Sequence, residues 1–301
     1  MRLATRGSAL ALVQARLVAA LLEAAEPGLS VELVEVRTSG DARRAVGDKS
    51  RWVKEIEEAL LDGRADLAVH SAKDVPGVLP DGLAIAGVPA RADARDALCG
   101  PGDGSLDALP EGAVVGTSAL RRRAQLLAAR PDLDVRDVRG NVDTRLGKLA
   151  QGDFDALVLA RAGLERLGRS DAGGPLPAGL MTPAPGQGCL ALEARSDDGP
   201  VRDLAAAVTE RDALVALTAE RALVTELEAT CNTPVAAYAE LLAGGGLRLS
   251  AFAGLPDGSR WIRDAVEGDA DDPAGLGREV GGRMRSAGAA ELLAEAELAI
   301  G

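Results

Sequence analysis

Aromatic side chains are almost missing from this chain: two Trp, one Tyr and two Phe make up 2% of 301 residues. Its cores must therefore be aliphatic, built from Leu, Val and Ala. There is one histidine, His70, which argues against a structural zinc site and against a histidine-activated nucleophile. Cys99, Cys189 and Cys231 are odd in number and far apart, so neither a disulfide framework nor a CxxC metal site is expected. No metal is expected, and chemistry falls to carboxylates, Lys, Arg or a thiol. No apolar run approaches membrane-spanning length, and Met1 to Arg6 lead into a helix-like segment without a signal-peptide pattern. A cytoplasmic protein that binds no membrane is expected.

Net charge is −12, yet arginines gather at Arg121-Arg122-Arg123, then Arg136, Arg139 and Arg145, then Arg161, Arg166 and Arg169. Nucleic-acid binding calls for a broadly basic face, which this composition excludes. A small polyanion suits a local arginine concentration better. Arg123, Arg161 and Arg169 are expected on a solvated face.

The length suggests two or three domains. Leu3-Ala4-Thr5 reads as a strand, Ser8 as an N-cap, Leu10 to Leu22 as a helix, and Val31 to Val36 as a strand. A helix from Trp52 to Leu61 and strands at Leu67 to His70 and Leu83 to Ala86 follow. Thr38 to Arg51, without apolar periodicity, reads as a mobile loop beside the site. After a Gly/Pro/Asp-rich boundary from about Cys99 to Gly112 the alternation restarts: Val114 to Thr117 a strand, Ser118 an N-cap, and Ala119 to Arg130 a helix. Strands at Val135 to Val138 and Ala156 to Ala160 and helices at Asn141 to Leu149 and Ala162 to Leu167 complete it. Leu190 to Ala194 is a strand that returns to the first domain. The last third has a helix from about Asp212 to Glu228, three strands at 235–241, 247–253 and 261–267, and a terminal helix begun by Asp272-Pro273. The expected class is α/β: two similar mixed-sheet domains facing a cleft, like bilobal binding proteins, plus a small α+β domain. Their expected spans are 1–92 with 189–209, 93–188, and 210–301.

Three places gather chemistry. In Ala65 to Pro76 a short apolar strand delivers His70, Ser71, Lys73 and Asp74 to its C-terminal end, where open sheets bind ligands. Lysine there holds an anion, and the carboxylate serves as acid, base or cation stabiliser. Gly116-Thr117-Ser118-Ala119-Leu120-Arg121-Arg122 sets a helix N-terminus and two arginines after a strand, an anion site that matches neither GxGxxG nor a Walker A loop. Arg139-Gly140-Asn141-Val142-Asp143-Thr144-Arg145 repeats that design.

With Thr5-Arg6-Gly7-Ser8, Leu10-Ala11-Leu12 and Pro185-Gly186-Gln187-Gly188, these segments resemble porphobilinogen deaminase, or hydroxymethylbilane synthase, in that family's order and over nearly the whole chain. The resemblance implies a transferase of tetrapyrrole synthesis that joins four porphobilinogen units head to tail, releasing ammonia. It also implies a dipyrromethane cofactor held by a thioether to Cys231, with Ser8, Lys73, Ser118, Arg121 and Arg122 around it. Asp74 matches the catalytic carboxylate, and Arg6, Arg139, Arg145, Arg166 and Gln187 match substrate-binding positions. A monomer with porphobilinogen as its small-molecule partner is expected. Two departures stand out. Gly47-Asp48-Lys49-Ser50-Arg51-Trp52 replaces the family's Gly-Gly-Lys-Gly-Leu-Phe, and Ala229-Thr230 replaces two glycines before the cysteine. Threonine resists positive φ, so the attachment loop is expected to take another path. The rival readings are a bilobal binding protein for a small dianion, a cofactor-less relative, and an aldimine-forming enzyme using Lys73 with pyridoxal phosphate.

Overall fold

The structure is a computed structural model describing residues 1–38, 53–102, 104–230 and 233–298. The expected loop over Thr38 to Arg51 lies, but for Thr38, outside the described residues, as do Trp52 and Cys231.

The chain opens with β1 (Arg2–Arg6), α1 (Ala9–Ala25), β2 (Glu32–Val36), α2 (Lys54–Leu61), β3 (Leu67–Ser71) and β4 (Leu83–Gly87). Ser8 caps α1 as expected, its side chain accepting from Ala11 N at 3.3 Å. A second run gives β5 (Asp96–Cys99), β6 (Val114–Gly116), α3 (Leu120–Ala129), β7 (Asp134–Arg136), α4 (Val142–Ala150), β8 (Ala156–Ala160), α5 (Arg161–Arg166) and β9 (Gly174–Pro175). β10 (Leu190–Arg195) and α6 (Gly199–Ala207) follow. The first sheet has the order β2-β1-β3-β10-β4, and the second β7-β6-β8-β5-β9. In each, three parallel strands meet an antiparallel fourth at the same place. β3, β8 and β10 are buried almost throughout, because helices cover both faces of the sheets.

Several boundaries differ from expectation. β5 occupies what reads as the start of an irregular boundary; its leading Asp96 breaks the apolar run, yet it is fully buried. α6 goes unannounced because Gly199-Pro200 resembles a turn, although Asp198 caps it and Pro is favoured in a first helical turn. Ser118 is not the cap of α3. Ala119 holds that position, and Ser118 Oγ instead donates to the carbonyl of Val138. That contact lies past the end of β7, which stops at Arg136 rather than Val138.

The remainder comprises α7 (Arg211–Glu226), an antiparallel sheet of β11 (Val235–Leu241), β12 (Gly246–Gly254) and β13 (Trp261–Asp269), then α8 (Pro273–Ser286) and α9 (Ala289–Leu298). Asp272 caps α8 as expected. The single terminal helix is in fact two, broken at Gly288, whose φ of 95° no helix tolerates. Leu223, Leu247, Leu249, Val280 and Met284 form the core of this part.

α7 also fastens this part to the rest. Its Ala213 and Leu217 pack against Ala72, Val88, Cys189 and Ala191 behind β3. Glu220, fully buried, accepts from both terminal nitrogens of the Arg91 guanidinium (2.8 and 3.2 Å), from Gly186 N (2.6 Å) and from Ala239 N (2.8 Å). Gly258, at the tip of the β12–β13 hairpin, presses on the backbone of Leu127 and Ala128 in α3, where a Cβ would stand 2.4 Å from Ala128 N.

Candidate active site

The parallel strands of both sheets deliver their C-terminal ends to one crevice. Arg6 ends β1, a single helical turn at Ala72–Asp74 follows β3, and α3, α4 and α5 begin after β6, β7 and β8. Across it, Leu10 of α1 packs over Gly163 of α5, where a side chain would lie 3.7 Å from Leu10 Cδ2. The two lobes therefore face each other through their strand ends, as open α/β sheets present ligand sites.

A continuous polar path joins the lobes behind this crevice. Lys73 Nζ donates to Gln187 Oε1 at 3.2 Å, and Gln187 Nε2 donates to Ala94 O (2.7 Å) and Asp96 Oδ1 (2.8 Å). Asp96 also takes two contacts from Arg122, 3.0 Å from Nε and 2.8 Å from Nη2, and pairs through Oδ2 with Arg121 Nη1 at 2.8 Å. Burial alone would favour the neutral acid; the two guanidiniums overcome it and hold the Asp96 carboxyl well below the usual carboxylate range. Burial lowers the proton affinity of Arg121, Asp96 restores part of it, and Arg122 opposes it again. One carboxylate against two guanidiniums leaves one positive charge at this end of α3.

Gln187, expected to contact substrate, is 1% exposed and spends both ends of its amide on this bridge. Arg121 and Arg122, expected to line the crevice, have side chains 6% and 7% exposed and turned onto Asp96, with further bonds to Thr182 O and Val158 O. Arg123 and Arg161 are not on a solvated face: Arg123 is half-buried on Val135 O, and Arg161 binds Glu165 and the carbonyls of Ser170 and Gly173. Arg169 does sit at the surface, paired with Asp143.

Arg145 and Arg166 behave differently. Both are half-buried, and among the described residues each donates to a neutral carbonyl: Gly140 O at 2.8 Å for Arg145 and Gly188 O at 2.7 Å for Arg166. Neither has a carboxylate within salt-bridge distance among the described residues. Burial depresses the proton affinity of both, and Arg122 lies close enough to Arg145 to depress it further. Arg145, held by a single carbonyl, keeps guanidinium donors to spare. Arg139 is exposed, and Asn141 caps α4 by accepting from Thr144 N at 2.8 Å. Ser8 and α1, Ser118 and α3, and Asn141 and α4 bring three helix N-termini to the crevice, each favouring negative charge.

Asp74 is half-buried and shares a small cavity with Arg6, Gln14, His70 and Ser71. Arg221 of α7 grips the chain just beyond it, donating to Pro76 O (2.8 Å) and Gly77 O (2.9 Å). Asp96, Glu220, Arg91 and Arg221 all escape a reading of the sequence. The available signal for Asp96 is an acid heading the apolar run Ala97-Leu98-Cys99.

The attachment position Cys231 lies outside the described residues, but both its flanks are described. Thr233 Oγ1 accepts from Thr230 N at 2.6 Å and donates to Thr230 O at 2.5 Å. Positive φ falls on Glu228 (51°), just past the end of α7, and not on Ala229 or Thr230. Ala229 and Thr230 thus lead toward Cys231 without positive φ, in keeping with the resistance of threonine to that region, and the path at 231 and 232 lies outside the described residues. Cys99 and Cys189 are buried, and burial pushes their thiols up to about 11 and about 12, so neither is a ready nucleophile. Among the described residues no group of three or more His, Cys, Asp or Glu is placed to hold a metal, and no helix is long and apolar enough to cross a membrane.

Two mixed-sheet α/β lobes that meet at a crevice, with a third α+β part locked behind it, define a bilobal α/β protein with an added C-terminal domain. Residues 1–203 match the family "Porphobilinogen deaminase, dipyromethane cofactor binding domain" and residues 214–286 match "Porphobilinogen deaminase, C-terminal domain". The chain belongs to the porphobilinogen deaminase family, whose activity is that of hydroxymethylbilane synthase, a transferase. Among solved structures, a putative methionine-binding lipoprotein from Bacillus subtilis is similar at 13% identity and TM-score 0.42, over 71% of this chain and 91% of that one. The periplasmic VFT2 domain of Bordetella pertussis BvgS is similar at 18% identity and TM-score 0.39, over 65% and 76%. At such scores these likenesses say nothing of ligand.

Proposed function

We propose that Asp74, Lys73 and the arginines of the crevice carry out in this chain the family's reaction, the stepwise condensation of four porphobilinogen molecules with loss of ammonia. The observation that carries this assignment is the pair Arg145 and Arg166, half-buried cations without carboxylate partners among the described residues of an otherwise acidic protein. Porphobilinogen bears two carboxylates, so every added unit brings the anions that these groups lack. Arg6 and Arg139 extend the same lining.

The residues present also suit a dipyrromethane cofactor. Ser8, Lys73 and the net positive charge of the Arg121–Asp96–Arg122 cluster would hold its carboxylates, and Cys231 would hold it covalently; Ser118, expected among these contacts, spends its one hydroxyl proton on Val138 O. When bound, that group supplies the pyrrole carbon from which the chain grows. The protein's part is to bind, orient and stabilise charge. Loss of ammonia from porphobilinogen leaves positive charge spread toward its pyrrole nitrogen. Asp74, at the end of β3, accepts the pyrrole N–H and stabilises that charge, then takes up the proton released when the ring regains aromaticity. Lys73, fixed by Gln187, is oriented for a carboxylate rather than left to sample rotamers.

Replacing Asp74 with Asn tests this directly. Removing one preorganised stabilising group costs about 10²–10³ in rate, so ammonia release should fall by that factor while the cofactor mass and far-UV circular dichroism remain. Turnover within a few-fold of the parent would take Asp74 out of the mechanism.

A further inference from the structure

We propose that His70, Glu193 and Glu57 form a buried proton store that exchanges with Asp74 through the small cavity between them, making His70 a positioning residue for proton transfer. The inference rests on Asp74 as the catalytic carboxylate. His70 Nε2 lies 2.9 Å from Glu193 Oε2, and their side chains are 3% and 1% exposed. Pairing of Glu193 with Ala68 and of Ala191 with His70 puts both side chains on the same face of the sheet. Glu57, 7% exposed on α2, is close enough to interact electrostatically with both.

The Oε1 atoms of Glu57 and Glu193 are buried without a hydrogen-bond partner among the described residues. Two ionised carboxylates beside a neutral imidazole would be costly there, so the cluster must keep a proton. Burial first, and then the charge of Glu193, push the Glu57 carboxyl up to about 7, with His70 pulling it down and Glu58 adding slightly. The other charged neighbours are Arg221 of α7, which feels Glu193, and Arg6 and Asp74 on the cavity wall.

The cavity is about 30 Å³ and is lined by Arg6, Gln14, Val53, His70, Ser71 and Asp74. It is the route between the store and the site. Each addition breaks a C–N bond, whose electron pair leaves on nitrogen as ammonia, and forms a C–C bond. A pyrrole C–H bond then returns its electron pair to the ring, and its proton passes to Asp74. Asp74 must be emptied before the next addition. The proton moves on to the imidazole–carboxylate cluster and from there to solvent, where ammonia takes it up as ammonium. No oxidant or reductant is needed.

Because His70 is the only histidine, its imidazole resonances in NMR need no assignment. The experiment follows their pH titration in the wild type and in Glu57→Gln, alongside the pH dependence of kcat in those proteins, in His70→Asn and in Asp74→Asn. Glu57→Gln is nearly isosteric and keeps the His70–Glu193 pair, so it reports even where His70→Asn does not fold. Loss of the neighbouring carboxylate should move the His70 midpoint to lower pH, and an inflection in kcat should move with it. His70→Asn should lower kcat with KM nearly unchanged. A His70 midpoint that ignores Glu57→Gln, or one that moves while the kcat profile stays fixed, would overturn the store. Full turnover in Asp74→Asn would instead remove the catalytic carboxylate on which the store depends.

Discussion

Lys73 and Asp96 belong to different lobes and are held together by one side chain: Gln187 accepts from the lysine at 3.2 Å and donates to the aspartate at 2.8 Å. The amide has only one orientation that satisfies these partners, since lysine only donates and the carboxylate and Ala94 O only accept. The cation beside Asp74 is thus coupled to the charge balance of Arg121 and Arg122. Removing the bridge should loosen both. Gln187→Leu leaves a buried carboxylate short of a donor and removes one acceptor from Lys73, a loss of roughly 1.5–3 kcal/mol for bonds to charged groups. A lowered melting temperature together with a raised KM for porphobilinogen is expected, and a protein as stable as the parent would show that the bridge contributes nothing.

Asp96 makes stability depend on pH in a definite direction. Its folded-state affinity for protons lies below that of an unfolded aspartate, so its contribution is complete above about pH 4 and is lost as the pH falls through the folded value. Asp96→Asn should cost about 3–5 kcal/mol at neutral pH, because two buried guanidiniums lose their counter-charge. Denaturant titrations of parent and variant should converge as the pH drops below 4. A constant gap between them would mean that the variant fails for reasons of packing.

Glu57 has the opposite sign. Its carboxyl is raised to about 7 in the folded protein, so its contribution is present at low pH and lost as the pH climbs from about 4 through 7. Glu57→Gln removes that penalty, and should gain stability over the parent at pH 8 and not at pH 4.

The arginines differ in what they lack. Arg145 and Arg166 have no carboxylate partner among the described residues, whereas Arg169 has Asp143 in an exposed pair of the kind worth ~0–1 kcal/mol. Arg145→Leu and Arg166→Leu should therefore weaken porphobilinogen binding or stall elongation while leaving the melting temperature nearly unchanged or slightly raised. Arg169→Leu serves as the surface control. Equal and small kinetic effects at all three would reduce the cluster to surface charge.

The alternation of apolar strands and helices made both lobes legible, because each element declares its buried face within a few residues. Lys73 and Asp74 were legible for the same reason, standing where an apolar strand ends. The roles of Gln187 and Asp96 were not. Asp96 meets Arg122 from 26 positions away and Gln187 from 91, so their partnership exists only once the lobes have folded and closed. An arginine run likewise cannot say which members face inward. Arg121 and Arg122 turn onto Asp96, and Arg123 onto a strand carbonyl, by their angular positions on α3.

Cys231 is where departure from the family and local backbone can be weighed against each other. Two residues before it the family has glycines and this chain has Ala229 and Thr230, but the left-handed residue is Glu228, with φ 51°. Substituting glycine at 229 and 230 relieves no strain, and should leave cofactor loading unchanged or lower it by adding backbone freedom. Intact mass after incubation with porphobilinogen should exceed the chain by one dipyrromethane in the parent, in Cys99→Ser and in Cys189→Ser. Cys231→Ser should lose the adduct and the activity together, since a hydroxyl attacks an electrophilic methylene far less readily than a thiolate. A bare mass in the parent that the double glycine variant restores to the loaded one would place the obstacle at Ala229-Thr230. A bare mass in both would place it elsewhere.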